Sequence, residues 1–284
     1  MALNRALVTG ATGFIGKHLV RHLASVGWTV HSLARQIPTD LKASRFCEWH
    51  LYDGTYESVS RAVKFAKPNV VLHLASLFLT EHKPSDIERL VNANLRYGMQ
   101  ILEAMHKNKV KNLINTGTSW QHYNDADYDP VNLYAATKQA FESIIDYYCN
   151  AHRFAAVTLK LYDTYGESDN RRKLIPYLRD KLSRGERIEL TQGNQCISLV
   201  HVDDVAKAFI TAVGELNCSK HAKFGLMSSQ VLSIQDVVNK LVSEYQTAPE
   251  IIWGAKPTPA RQPKSPPAIS KLPNWNPRKL FPNT

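Results

Sequence analysis

The sequence predicts an α/β fold: a doubly wound parallel sheet followed by a smaller C-terminal part. Two observations carry that prediction. From residue 5 to residue 166, short β-rich runs alternate with stretches of helical periodicity. A glycine-rich turn stands between the first such run and the first helix.

The elements follow in order. "RALVTG" reads as a strand, "FIGKHLVRHLASVG" carries apolar residues at helical spacing, and "WTVHSLAR" is a second strand. "FCEWHLYD", "NVVLHLAS" and "KNLINTGTS" continue the strands, with helical segments near 56–66 and 85–107 between them. "LYAATKQAFESIIDYYCNAH" is a long helix and "FAAVTLKLYDTYG" a further strand. After about residue 165 the alternation loosens, although "VDDVAKAFITAVGE" still reads as an amphipathic helix. The last thirty residues hold eight of the fourteen prolines. The apolar residues Trp253, Ile269, Leu272, Trp275, Leu280 and Phe281 nevertheless predict an ordered, irregular wrap rather than a solvated tail.

Composition excludes several classes. A chain of 284 residues with 44% apolar content can bury a sizeable core. No window approaches a membrane span, and the N-terminus lacks a signal-peptide pattern, so a cytoplasmic protein without a membrane partner is expected. Cys47, Cys149, Cys196 and Cys218 form no CxxC pair, which argues against a disulfide framework and against a metal site. The net charge of +10 favours anionic ligands. No block resembles a nucleic-acid-binding arm, and the densest run, Arg171, Arg172 and Lys173, reads as a solvated helix start.

"TGATGFIG", residues 9–16, places Gly10, Gly13 and Gly16 in a strand–loop–helix setting. Glycines allow a tight turn and a close approach of backbone to a pyrophosphate, whose charge rests on the open N–H groups of the helix start. This predicts a dinucleotide-binding Rossmann sheet. The second strand ends at Ala34–Arg35, and the first acid beyond it is Asp40. A cation there suits the 2′-phosphate of NADP(H), where an NAD enzyme offers a carboxylate to the ribose. Asp53, after the third strand, is placed to accept from the adenine amino group, and a turn aspartate explains it nearly as well.

Tyr123, Tyr128 and Tyr134 crowd the stretch after "NTGTS". A tyrosine serves acid–base chemistry best when a nearby cation lowers its pKa from about 10. Residue i+4 shares its helix face; Tyr123 has Asp127 there, Tyr128 has Asn132, and Tyr134 has Lys138. A second hit, Tyr177 with Lys181, lies in the looser region and reads as a surface pair. Thr116, Thr118 and Ser119 offer hydroxyls at the strand's carboxyl end, where one could hold a substrate oxygen.

Together these residues resemble the extended short-chain dehydrogenase/reductase family, in its nucleotide-sugar epimerase, dehydratase and reductase branch. The likeness includes the loop at 9–16, "LHLAS" at 72–76, "NLRYGMQILEA" at 94–104, Thr118, Tyr134-x-x-x-Lys138, "LYDTYGE" at 161–167 and "VDDVAKAF" at 202–209. The resemblance implies that Tyr134 exchanges the proton, that Lys138 binds the nicotinamide ribose and depresses the tyrosine's pKa, and that Thr118 holds the substrate oxygen. It implies cofactor contacts at Gly10, Thr12, Gly13, Phe14, Ile15, Gly16, Leu74, Ala75 and Ser76, besides Arg35 and Asp53, and a structural or relay role for Asn94. Ser119, Asp163, Lys173 and Arg261 are the implied substrate residues. The implied division is an NADP-binding Rossmann domain over 1–164 and a smaller substrate-binding domain over 165–284, with 198–228 packing back onto the first. A homodimer through helices near 85–107 and 132–153 is expected by resemblance.

Departures from the family pattern narrow the expected activity. Ser119 and Trp120 stand where the dehydratases carry an Asp–Glu pair, and Arg35 stands where the epimerases commonly carry an acid. What remains is NADPH-dependent reduction of a nucleotide-activated 4-keto deoxysugar, with similarity to the CDP-abequose and CDP-paratose synthases in "LYAATKQAFE", "RRKLIPYL" and "KLPNWNP". An NAD-dependent 4-epimerase is the same-fold alternative, and a non-catalytic NADP-sensing or RNA-binding relative the alternative of another class; such relatives often lose the Tyr–Lys pair. Ile197–Ser198 replaces the usual arginine–aspartate, and Asp163 a usual asparagine.

Overall fold

The computed structural model describes residues 4–39, 46–245 and 249–282. Seven parallel strands form the main sheet: β1 (Arg5–Thr9), β2 (Thr29–Ala34), β3 (Glu48–Leu51), β4 (Val70–His73), β5 (Asn112–Thr118), β6 (Ala155–Leu161) and β10 (Lys220–Leu226). Their order across the sheet is β10-β6-β5-β4-β1-β2-β3. The winding reverses between β1 and β4, which opens a crevice at their carboxyl ends. Both faces are covered at the centre of the sheet, so β1, β4, β5 and β6 are buried nearly throughout rather than alternating, while the edge strands β3 and β10 stay partly exposed.

Helix α1 (Phe14–Ser25) and α7 (Val202–Thr211) cover one face, their apolar stripes meeting Val8, Leu72 and Leu159. On the other face α2 (Tyr56–Ala66), α4 (Tyr97–Lys107) and α5 (Leu133–His152) pack over Leu7, Val71 and Leu113. A third cluster gathers α6 (Leu174–Arg184), the two-residue strand β8 (Ile188–Glu189), α8 (Ile234–Glu244) and a small sheet in which β9 (Cys196–His201) pairs with β7 (Asp163–Tyr165) and β11 (Val231–Ser233). Of the segment 198–228, α7 thus packs against α1 and β10 forms an edge of the main sheet.

The C-terminal stretch wraps back in irregular form. Leu272, Trp275 and Phe281 are buried, and Leu272 and Trp275 enter the cluster around α1. Leu280, expected as an anchor, is instead 49% exposed, because its neighbour Phe281 takes the buried slot beside Tyr165. Asp204, buried near the start of α7, fixes the wrap: its carboxylate accepts the Arg278 and Lys279 N–H groups at 2.8 and 2.9 Å, and its carbonyl accepts Trp275 Nε1 at 2.9 Å. No helix among the described residues is long and apolar enough to cross a membrane.

Candidate active site

The glycine turn is built as its sequence requires. Gly10 has φ +73°, and a Cβ there would lie 2.7 Å from the Ala75 nitrogen, so only glycine lets the turn lean on the end of β4. A Cβ on Gly16 would lie 2.1 Å from the Gly10 carbonyl oxygen, so α1 can begin this close to the turn only with glycine there. The first turn of α1 carries no acidic residue, and the N-cap residue Gly13 makes no side-chain cap. The helix therefore presents open N–H donors and a positive dipole end to an anion.

Next to the turn, Thr9 Oγ1 accepts the Ala75 N–H at 3.2 Å and lies 2.8 Å from His73 Nδ1. Burial, and then the charge of Lys138, push His73 down to about 3, so the ring is neutral. A π turn at Asn92–Arg96, between the short helix α3 (Ile87–Val91) and α4, aims Asn94 inward. Its amide accepts from Ser76 Oγ and the Leu77 N–H at 3.1 and 2.7 Å, and donates to Leu77 O and Thr137 Oγ1 at 3.1 and 2.9 Å. Asn94 thereby ties the loop after β4 to the first turn of α5.

That helix starts at Asn132, whose side chain accepts the Ala135 N–H at 3.0 Å and donates to Leu79 O and Thr80 O. Tyr134 and Lys138 follow on one face, the ammonium 6.0 Å from the centre of the phenol ring. Burial raises the Tyr134 phenol to about 12, against a smaller lowering by the Ser76 hydroxyl. With the ammonium 6.0 Å from the ring centre, loss of water around the ring is the larger influence on the phenol. Burial likewise lowers Lys138 to about 8, against an opposing pull from Glu142.

A cavity of about 590 Å³ joins these parts. Gly10, Gly13, Phe14, Ile15 and Gly16 line one end of it, Leu74 and Ser76 its floor, and Thr116, Thr118, Ser119, Tyr134 and Lys138 its centre. Asp163 and Lys173, 3.5 Å apart as an ion pair, line the far end. Thr118 Oγ1 accepts the Trp120 N–H at 3.3 Å, capping a tight turn. Asp163 is the sole carboxylate among the described lining residues.

Other expected residues lie apart from the cavity lining. Thr12 is exposed on the outer side of the turn, and Ala75 contributes its backbone to the turn's support. Arg35 is exposed just beyond β2; it follows by two residues Leu33, the register partner of Thr9, and so leaves the sheet at the same edge as the glycine turn. Asp40 lies outside the described residues. Asp53 accepts the N–H and O–H of Thr55 at 2.9 and 2.6 Å, which hold its exposed carboxyl down at about 2. Arg261 does not reach the cavity lining: it pairs with Asp129 and stacks 4.4 Å over Tyr123.

The Arg171–Lys173 run does lead into a helix, with Lys173 as the N-cap of α6 and Arg172 exposed, but all three residues also line the cavity. Arg171 is held by Asp169 at 2.7 Å and lies 4.2 Å over the Phe14 ring, closing the glycine turn from above. Tyr177 and Lys181 interact only at a distance, each having a closer partner: Lys256 sits 4.8 Å over Tyr177 in an adjoining cavity, while Lys181 bonds Glu186 at 2.5 Å. Sequence spacing missed Phe78 and Trp120, which face each other at 5.6 Å and wall both cavities. Phe78 is also edge-on to Tyr134 at 5.0 Å, so the apolar wall reaches the phenol. Isolated aromatic residues in loops carry no periodic signal by which they could have been found.

Comparison with known proteins adds the lineage. Residues 6–223 match the NAD dependent epimerase/dehydratase family. The CDP-abequose synthase of Salmonella typhimurium is 30% identical over 210 residues, covering 72% of this chain and 68% of the relative. That of Yersinia pseudotuberculosis is 26% identical over 244 residues, covering 84% and 81%. Among solved structures, the UDP-glucose 4-epimerase of Thermus thermophilus in complex with NAD superposes with a TM-score of 0.83, at 22% identity, over 98% of this chain and 96% of that one. At that identity the likeness speaks for the fold.

Proposed function

The chain belongs to the NAD dependent epimerase/dehydratase family, the extended short-chain dehydrogenases and reductases, and from that premise we propose that it is an NADPH-dependent reductase of the 4-keto group of a nucleotide-activated deoxysugar. A CDP-sugar is favoured, as in surface polysaccharide synthesis, because the relatives named above are CDP-abequose synthases.

One observation carries the reading. The buried Tyr134–Lys138 pair faces a cavity in which Asp163, the one carboxylate among the described lining residues, is neutralised by Lys173. Elimination of water needs an acid and a base beside the sugar; Ser119 and Trp120 supply neither. Reduction needs less. The cofactor, when bound, supplies the hydride to the carbonyl carbon. Tyr134 delivers the proton to the carbonyl oxygen, and its elevated pKa keeps the phenol in the protonated form that a donor requires. Thr118 orients the substrate oxygen, and Lys138 holds the nicotinamide ribose and places positive charge beside the phenol as it ionises.

The fit of the dinucleotide rests on the glycine turn and the uncapped start of α1; Leu74 and Ser76 line the site, Ala75 supports the turn through its backbone, and Asp53 is the proposed acceptor for the adenine amino group. Arg35 supports NADPH over NADH, since its exposed guanidinium leaves the sheet where a 2′-phosphate would lie. Residues 1–164 carry the cofactor, and 165–284 close over the sugar nucleotide with Lys173 among its anion contacts. Exposed Val91, Met99 and Tyr147 on the helices of one face support a homodimer.

The test is a screen of CDP-, dTDP-, UDP- and GDP-linked 4-keto sugars for NADPH oxidation, with the product analysed by NMR. Stoichiometric NADPH consumption with a new hydroxyl at C4 is expected. Sugar interconversion without added reductant, by protein purified with tightly held NAD, would instead establish the epimerase.

A further inference from the structure

Behind Lys138 lies a buried group of charges that the proposed reaction does not use. Glu142, one helical turn beyond Lys138 on α5, is 1% exposed, and Lys160 on β6, with its ammonium 3.4 Å away, is 2% exposed. The carboxylate is fixed in place from the active-site side. Gln121 Nε2 donates to Glu142 Oε1 at 2.8 Å, while Gln121 Oε1 accepts the N–H of Thr118 at 3.0 Å. Gly117 makes room for this: a Cβ there would stand 3.0 and 3.1 Å from those Gln121 and Glu142 oxygens. Glu142 Oε2, by contrast, has no hydrogen-bond partner and faces cations alone.

The charges around it can be enumerated. Lys160 lies on one side, itself 2.5 Å from His122 Nε2; His122 Nδ1 lies 3.0 Å from Ala126 O, so the ring donates there and accepts from the ammonium. Lys223, on β10, is 3.8 Å from Glu142 and 3.5 Å from Asp146, which in turn binds His221 at 2.6 Å. Lys138 itself faces Glu142, Tyr134 and the neutral His73. Buried Glu142 thus pairs directly with buried Lys160, while the equally buried Lys138 stands one helical turn from it on the same helix. Charges in such a setting act on one another far more strongly than at a surface.

We propose that Glu142 is a positioning residue whose single negative charge is divided between Lys138 and Lys160, and that this division sets the alkaline limit of cofactor binding. The carboxylate favours the ammonium of Lys138; Lys160 competes for the same carboxylate and repels that ammonium. The inference rests on the reading that Lys138 binds the cofactor's ribose, and not on the identity of the sugar.

The experiment follows NADPH binding by fluorescence titration from pH 6.5 to 10 and needs no substrate. Wild-type affinity is expected to fall around pH 8, where Lys138 loses its proton. Glu142→Gln keeps the volume and the contact with Gln121 but removes the charge, so the midpoint of that fall should move down by about one pH unit, on the scale that buried charge pairs reach. Glu142→Asp should restore most of it. Lys160→Met should move the midpoint the other way. Should Lys160→Met not fold, Lys223→Met, at a side chain 36% exposed, removes the second counter-cation with the same expected sign. Midpoints that stay fixed, or that move in the same direction in the carboxylate and lysine variants, overturn the proposal; a purely structural role would lower affinity equally at every pH. If no 4-keto sugar is reduced but the opposed shifts appear, the proposed reaction fails and this inference stands.

Discussion

Tyr134 and Lys138 stand one helical turn apart, with the ammonium 6.0 Å from the phenol ring's centre, and burial displaces each of them away from its charged form. The pair is thus poised as a neutral acid beside a weakened cation. Such a pair gives up a proton only as negative charge develops on the substrate oxygen.

Replacing Tyr134 by Phe removes the hydroxyl and nothing else. NADPH oxidation with the cognate keto-sugar should fall by about a thousandfold or more, in line with loss of a general acid. The NADPH dissociation constant should stay within about threefold, because the ring keeps its contact with Phe78. Normal turnover in this variant would contradict the assignment.

Arg35→Asp places a carboxylate where the 2′-phosphate is expected. NADPH affinity should drop by about a hundredfold while NADH affinity holds or improves, since repulsion acts on one cofactor only. Equal losses for the two, measured by kcat/KM ratios, would remove the basis for NADPH preference.

Asp204→Ala strips the tail of two backbone hydrogen bonds to a buried carboxylate. A loss of about 3 kcal/mol is expected, the scale for charged hydrogen bonds broken in a buried setting. Limited proteolysis should then cut first within 272–282, and an unchanged cleavage pattern would show that Trp275 and Phe281 alone hold the wrap.

Asp203 gives the same region an acid sensitivity. Burial by itself would raise its pKa, yet hydrogen bonds from Lys279 at 2.8 Å and His18 at 2.9 Å bring it down to about 2. A carboxylate whose pKa is depressed by folding adds stability above its unfolded value near 4, and that stability disappears as pH falls toward 2. Thermal melts between pH 5 and 2 should show a shallower decline in Asp203→Asn than in the wild type. Parallel curves would place the acid sensitivity elsewhere.

How far the sequence could be read depended on whether a signal was local. The alternation of strands and helices, the glycine turn and the Tyr134–Lys138 spacing are contained in short windows, and the structure places them together. Arg171 shows the limit: three adjacent cations look alike whether they face water or a cavity, and only Phe14, more than a hundred and fifty residues earlier, distinguishes them. The partner of Arg261 was equally hidden, since Asp129 lies in a loop with no pattern of its own. The raised phenol pKa was equally out of reach, because the i+4 lysine is visible in the sequence while the exclusion of water around the ring is a property of the assembled walls.

The burial of Trp275 and Leu272 beside α1 has a temporal consequence. The layer that covers one face of the first strands is completed by residues far along the chain, so during synthesis that face stays unfinished while the ribosome works through the intervening stretch. A nascent chain halted before residue 272 would carry an uncovered apolar seam next to the glycine turn, which makes it a target for chaperones.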